Sequence, residues 1–209
     1  MMTGLGWLIA PAIAFLIAAA TPGPANLALM NLSMRSGRRP GLAMAAGLTL
    51  GLAFWGGLVA LGLGALVLQS ATALTVFRIV GGLVLIWLAW KSARSAWQAA
   101  AVPLPAPPSH RTFAAGLILN LSNPKAAIAW GAAIAVGLPV DASAADLWLL
   151  TGICALIGAG NYLAYALLFS TARAQASYVK ARRWIEGAAA LILGGAGLAL
   201  VSGRAGAAS

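Results

Sequence analysis

The chain has 209 residues, a length suited to one domain, but 62% of them are hydrophobic and only 8% are charged, against roughly 25% charged in an ordinary soluble domain. With a mean hydropathy of +0.93 it could not clothe its surface in polar groups, which excludes a water-soluble globular fold. The net charge of +10 would suggest nucleic acid in a soluble protein, but its distribution along this chain argues for a different origin.

The apolar stretches are long enough to cross about 30 Å of hydrocarbon, which takes roughly 20 helical residues. Helices are the expected element because lipid offers no partner to an unpaired backbone group. Runs such as Gly41 to Leu68 show no period of two, which argues against a β-barrel. The first span is predicted over 4–33. No basic residue precedes its apolar run from Leu5, so it reads as a span rather than a cleaved leader. A short basic turn with Arg35, Arg38 and Arg39 leads into a second span over 40–68, where Gly47 and Gly51, then Gly56, Ala60 and Gly64, repeat the small-residue spacing of close helix packing. The uncharged Gln69 to Thr72 joins it to a third span over 72–92, with Trp87, Trp90 and Trp97 as interface anchors. A proline-rich linker (Val102 to Pro108) precedes the fourth span, 111–138. Asp141 and Asp146 occupy a loop without bases, followed by a fifth span over 144–170, with Trp148 near its outer end, and a sixth over 184–202.

Ten of the thirteen basic residues fall in three loops: Arg35, Arg38 and Arg39; Lys91, Arg94 and Arg111; and Arg173, Lys180, Arg182 and Arg183. Basic loops stay on the cytoplasmic side, so the surplus charge is a topology signal and both termini are expected outside. Nucleic acid is therefore not expected as a partner. Within one membrane domain, 1–209, the cytoplasmic linker 97–110 separates halves at 1–96 and 111–209, and three spans per half force the second half to insert upside down. The expected fold is an all-α integral membrane protein: six transmembrane helices in a 3+3 inverted repeat, with proline-broken first and fourth helices. The breaks are Thr21-Pro22-Gly23-Pro24 and Ser122-Asn123-Pro124, and Pro24 and Pro124 hold matching places. Interrupted helices at corresponding positions point to a midplane substrate site.

Lys125 is the leading candidate for that site. It lies 14 residues from both Arg111 and Pro139, or about 21 Å from either end of the span. A charge at that depth costs at least about 2.5–3.5 kcal/mol, and its stem cannot reach water. Asn123 is expected as N-cap and Pro124 as first helical residue, which puts the ammonium at the positive end of a half-helix. A bound carboxylate would relieve both costs; the alternative is a desolvated lysine bonded to backbone carbonyls freed by the proline. In the first span, Thr21 is expected to cap a half-helix opening at Pro22, Gly23 and Pro24, with the Asn26 amide nearby. The exposed amides of two such half-helix N-termini suit a carboxylate. Asn120, Asn161 and Tyr162 are further candidate lining residues, Asn161 doubling as an inter-helix hydrogen bond. Arg78 and Glu186 are candidates for gating or coupling, although each is read as closer to an interface than to the midplane, on opposite sides. No Asp or Glu is then expected at mid-membrane. Cys154 has no partner for a disulfide and His110 sits in the proline-rich linker, so no metal and no cofactor is expected.

The motifs Thr21-Pro22-Gly23-Pro24-Ala25-Asn26, Gly37-Arg38-Arg39-Pro40-Gly41 and Leu119 to Ala126 (LNLSNPKA) resemble the signatures of the LysE/RhtB superfamily of amino-acid exporters. Arg78 ahead of Gly81 and Gly82 is similar to that family's third helix. The resemblance covers nearly the whole chain. It implies export of small amino acids or related solutes across the bacterial cytoplasmic membrane, driven by the membrane gradient. One position departs from the pattern: after Gly47 to Gly51, many members carry an acidic or polar residue, and this chain has Leu52.

The site therefore reads as that of a secondary exporter of neutral amino acids. Efflux of metal or other cations is the alternative within transport, although a buried lysine without carboxylates suits cations poorly. A membrane-embedded enzyme would lack its parts, since no intramembrane His, Asp or Glu accompanies a Ser or Cys nucleophile. The expected partners are the amino acid and the lipid bilayer, and a homo-oligomer is left open. In a background with Cys154 replaced by Ala, a cysteine at Ser36 is expected to resist an impermeant thiol reagent from outside and to react once the membrane is opened. Reaction in intact cells would reverse the orientation.

Overall fold

The structure, a computed structural model, describes residues 5–21, 23–67, 71–97, 111–139 and 142–202. After a short 3-10 turn at Leu5–Leu8 come eight helices: α1 (Ile9–Ala20), α2 (Pro24–Ser36), α3 (Arg38–Val67), α4 (Ala71–Trp97), α5 (Thr112–Leu121), α6 (Pro124–Gly137), α7 (Ala144–Leu168) and α8 (Ala172–Val201). No strand occurs among the described residues. Helices α3, α4, α7 and α8 each contain a segment long and apolar enough to cross a membrane. The pair α1–α2, bent by 56° at its break, makes a fifth. At 10 and 14 residues, α5 and α6 are about 15 and 21 Å long, each short of a crossing. The chain is thus an all-helical, multi-pass membrane protein with four or five spans by helix length. The expected linker at 97–110 lies, beyond Trp97, outside the described residues, as do Pro22, His110 and Asp141.

One expected boundary shifts markedly. Helix α7 opens at Ala144 as expected, and Asp146, expected in the preceding loop, lies in its first turn: Ser143 N donates to Asp146 Oδ2 at 2.8 Å, and Asp146 N donates to Ser143 Oγ at 3.2 Å, a capping box. Helix α8 begins at Ala172, twelve residues ahead of the expected 184, because backbone hydrogen bonding continues through Ala, Gln, Lys and Arg after apolarity has ended. Glu186 consequently sits near mid-helix.

Helix α4 runs along α8, α3 along α5 and α7, and α1 against α6 and α7. Glycines permit the closest of these approaches. A Cβ at Gly47 would strike the Phe113 carbonyl and come 2.8 Å from Leu117 N, and one at Gly116 would strike the Met44 carbonyl. Gly82 and Gly197 face each other in the same way across α4 and α8. The small-residue spacing at Gly47 and Gly51 is therefore a packing seam, as the sequence suggested, and backbone contact replaces the hydrophobic drive that lipid removes. Large apolar side chains point outward, with Leu156 74% and Leu191 81% exposed. Phe15, Leu29, Leu48, Trp130 and Leu193 form part of the interior.

Two arginines tie neighbouring helices together. Arg38 Nε donates to Ser170 Oγ at 3.2 Å, joining the α2–α3 turn to the end of α7. Arg182 Nη2 donates to Ser95 Oγ at 2.9 Å, joining the start of α8 to the end of α4. Lys91 lies 4.5 Å over the Trp87 ring and Arg94 5.6 Å over Trp90, which suits aromatic anchors at a headgroup boundary.

Replacing Gly47 with Leu should destabilise the protein by at least the 1–3 kcal/mol typical of overpacking, because the obstacle is backbone. Gly57→Leu, where a Cβ meets nothing within 4 Å, should be neutral or mildly stabilising. Thermal unfolding of both variants in detergent provides the comparison.

Candidate functional site

Proline lacks an N–H, so Pro24 cannot donate to the Ala20 carbonyl four residues back, nor Pro124 to the Asn120 carbonyl. Buried in hydrocarbon, such carbonyls need another donor. The Asn120 carbonyl accepts the backbone N–H of Asn123 at 2.9 Å, and each of the two carbonyls also receives an aromatic donor. Tyr165 on α7 donates its hydroxyl to Ala20 O at 3.0 Å, and Trp55 on α3 donates Nε1 to Asn120 O at 3.3 Å. The rest of the α1 terminus is closed by amides and a cation. Asn26 Nδ2 donates to Ala19 O at 2.7 Å, Asn161 Nδ2 donates to Ala19 O and to Asn26 Oδ1, both at 3.3 Å, and Lys125 Nζ donates to the Thr21 carbonyl.

At the second break the expectation for Asn123 and Pro124 holds. Asn123 is the N-cap of α6, its Oδ1 accepting from Lys125 N at 3.1 Å, and Pro124 opens the helix. The expectation for Thr21 does not hold. Thr21 closes α1, its Oγ1 donating back to Ile17 O at 2.6 Å, while Gly23 is the N-cap of α2 and makes no side-chain bond there. The hydroxyl prefers the carbonyl one turn back because that acceptor has lost nothing to geometry, whereas the extended Gly23 separates Thr21 from the α2 amides. Lys125 is half-buried and leans across to Gly23, where a Cβ would come 3.2 Å from its Cδ and 3.3 Å from its Nζ. Its ammonium thus rests against the negative end of α1, which offsets the positive end of α6 on which it is built.

A cavity of about 380 Å³, open mouth included, lies beside Lys125. Its polar lining is Asn26, Asn123, Lys125 and Tyr162, with Gly23 at the break. Its apolar walls are Phe15, Leu52 and the alanines Ala18, Ala19, Ala25, Ala126 and Ala129. Among the described residues Lys125 is the one charged lining residue. Leu52, the departure noted in the sequence, faces this space, while its carbonyl holds Trp130 Nε1 at 2.9 Å.

Among the other candidates, Asn120 is fully buried behind the lining and donates to the Tyr162 hydroxyl at 2.8 Å, its own Oδ1 making no hydrogen bond. Asn161 serves the inter-helix bonding described above, and Pro24 and Pro124 act through the donors they lack. Arg78 and Glu186 stand apart from the cavity. Arg78 Nη2 donates to Leu138 O at 3.0 Å, capping the end of α6 with a cation as the helix dipole favours. Glu186 is buried, 0% exposed, and its Oε1 accepts from Ser95 Oγ at 2.8 Å. It packs against α4, so a carboxylate lies within the protein interior. Sequence reasoning missed Tyr165 and Ser95. Asn161-Tyr162 followed three residues later by Tyr165, a polar set on an apolar span, was the available signal for the first.

An all-helical, multi-pass bundle with helices broken around a central cationic cavity defines a membrane translocator. The chain belongs to the LysE family, described as LysE type translocators, which it matches over residues 16–204. It is 27% identical to the threonine efflux protein of Escherichia coli (strain K12) over 198 residues, 92% of this chain and 96% of that one. The threonine efflux protein of Salmonella typhi is 28% identical over the same shares. A membrane protein of Escherichia coli, YahN, is 39% identical over 114 residues, about half of each chain. No solved structure matches the chain. Amino-acid export is thus supported at the level of the family.

Tyr165→Phe should leave the Ala20 carbonyl without its donor and cost about 1–3 kcal/mol. Tyr178→Phe removes a buried hydroxyl that makes no hydrogen bond and should cost little. Denaturation midpoints of the two variants in the same detergent test the difference.

Proposed function

We propose that the protein is a secondary exporter of small, neutral amino acids, working as a six-span, 3+3 inverted repeat in the bacterial cytoplasmic membrane with both termini outside. On this reading the halves are 1–96 and 111–209, and α1–α2 and α5–α6 are each one interrupted span. The paired breaks support it. Exchanging the halves maps Pro24 onto Pro124 and α7 onto α3, and with them the Tyr165 bond to Ala20 O onto the Trp55 bond to Asn120 O. The α3–α7 and α4–α8 contacts map onto themselves, and α3–α5 maps onto α7–α1.

The observation that carries the substrate class is Lys125 as the one charged residue lining a cavity at the meeting point of both breaks. A substrate carboxylate would displace or share its bond to the Thr21 carbonyl. Asn26, Asn123 and Tyr162 offer amide and hydroxyl groups to the rest of the substrate. A basic side chain would meet no lining carboxylate and would be repelled by Lys125 at short range in low dielectric. The threonine efflux relatives fit a neutral substrate of about threonine size. The remaining partner is the bilayer, and a homo-oligomer is compatible with this arrangement.

In proteoliposomes, efflux of labelled threonine, homoserine or leucine is expected to be inhibited by unlabelled neutral amino acids more strongly than by lysine or a divalent metal. Lys125→Met is expected to lower it at least a hundredfold in protein that remains folded and inserted. Full efflux by Lys125→Met, or stronger inhibition by lysine, would remove the carboxylate-binding role.

A further inference from the structure

The cavity has two chemically different ends. Its polar groups are engaged at the helix breaks: Asn26 donates to Ala19 O, Lys125 Nζ to the Thr21 carbonyl, and Asn123 caps α6. The Tyr162 ring lines the wall, but its hydroxyl accepts from Asn120 in the last turn of α5, so its polar tip belongs to the same end. The other end is carbon. Phe15 lies six residues before Thr21 on α1 and Trp130 five after Lys125 on α6, about 9 and 8 Å away along the helices at 1.5 Å per residue. Their rings pack with centroids 4.7 Å apart, and Trp130 Nε1 holds Leu52 O at 2.9 Å. Phe15 and Leu52 line the cavity here, with Trp130 buried against them.

Leu52 owes its place to Gly158 on α7. A Cβ at Gly158 would strike Leu52 Cδ2 and come 3.5 Å from its Cγ and 3.6 Å from Phe15 Cε1. The end of the leucine therefore fills the volume of the missing side chain. That obstacle is the tip of a flexible side chain rather than backbone, so a methyl group at 158 would turn Leu52 aside without parting α3 from α7. With α7 and Phe15 on two sides, the free volume beside Leu52 is the cavity.

We propose that Leu52, seated in the notch at Gly158, determines which substrate side chain the cavity accepts, and that this side chain is aliphatic. The role rests on the export reading and sharpens it. An amino acid held by its carboxylate at Lys125 extends its side chain toward Phe15 and Leu52. Among the described lining residues of that end it meets only carbon, so a hydroxyl or amide would give up water without replacement. With its methyl withdrawn into the notch, Leu52 leaves room for a branched side chain; displaced from the notch, it would fill that room itself.

Competition against efflux of labelled alanine from proteoliposomes gives selectivity as ratios, which do not depend on how much of each variant is folded. In the wild type, valine should inhibit about tenfold more strongly than its isostere threonine, within the roughly hundredfold limit for rejecting an added hydroxyl from an apolar pocket. Gly158→Ala should weaken inhibition by leucine relative to unlabelled alanine about tenfold, the low end for a methylene-sized change in such a pocket. Leu52→Ala should strengthen inhibition by phenylalanine relative to leucine by a similar factor. In the double variant Leu52→Ala/Gly158→Ala the added methyl no longer meets Leu52, so the leucine-to-alanine ratio should return to the wild-type value. Threonine as strong as valine, ratios unmoved in the single variants, or a double variant as selective against leucine as Gly158→Ala would each overturn the role of Leu52 while alanine efflux leaves export intact. A wild type that neither binds nor moves any amino acid would remove the export reading, and this role with it.

Discussion

Two missing N–H groups organise the centre of this protein. Proline cannot donate, a carbonyl in hydrocarbon cannot be left to water, and each break therefore recruits side chains from distant helices. Tyr165, Asn161 and Lys125 all converge on the end of α1, and at α5 the equivalent carbonyl is shared between the Asn123 N–H and Trp55. Satisfying the backbone and building the cavity are the same act. The donors that close the α1 terminus bring α7 and α6 against it, and the space left between them is the cavity.

That arrangement also explains how a lysine is tolerated at such depth. The N-terminus of α6 repels it and the C-terminus of α1 attracts it, so the ammonium rests between opposed helix ends. Its ammonium donates to one backbone carbonyl, that of Thr21. Gly23 leaves the room for this crossing, and a methyl group there would press on the lysine stem. Small side chains elsewhere on the cavity wall serve the same end: five alanines keep the volume open where leucines would fill it.

Packing against α4 governs the other internal charge. The glycine contact between Gly82 and Gly197 draws α4 and α8 together at the backbone, and the polar cluster of Ser92, Ser95, Arg182 and Glu186 lies along the same pair of helices.

The sequence by itself determined the class: composition and apolar length require helices in a membrane. It also located both breaks, the cap at Asn123 and the packing seam at Gly47, because each follows from residue type and local spacing. What only the tertiary structure decided is which group answers which. Thr21 turned out to close one helix rather than open the next, Arg78 to cap α6, and Tyr165 to replace a proline's missing donor. Glu186 proved to be enclosed between α8 and α4, a burial that hydropathy does not report. Hydropathy marks where lipid is tolerated. Helix ends and burial are set by backbone pairing and by the neighbouring helix, and neither is written in the local composition.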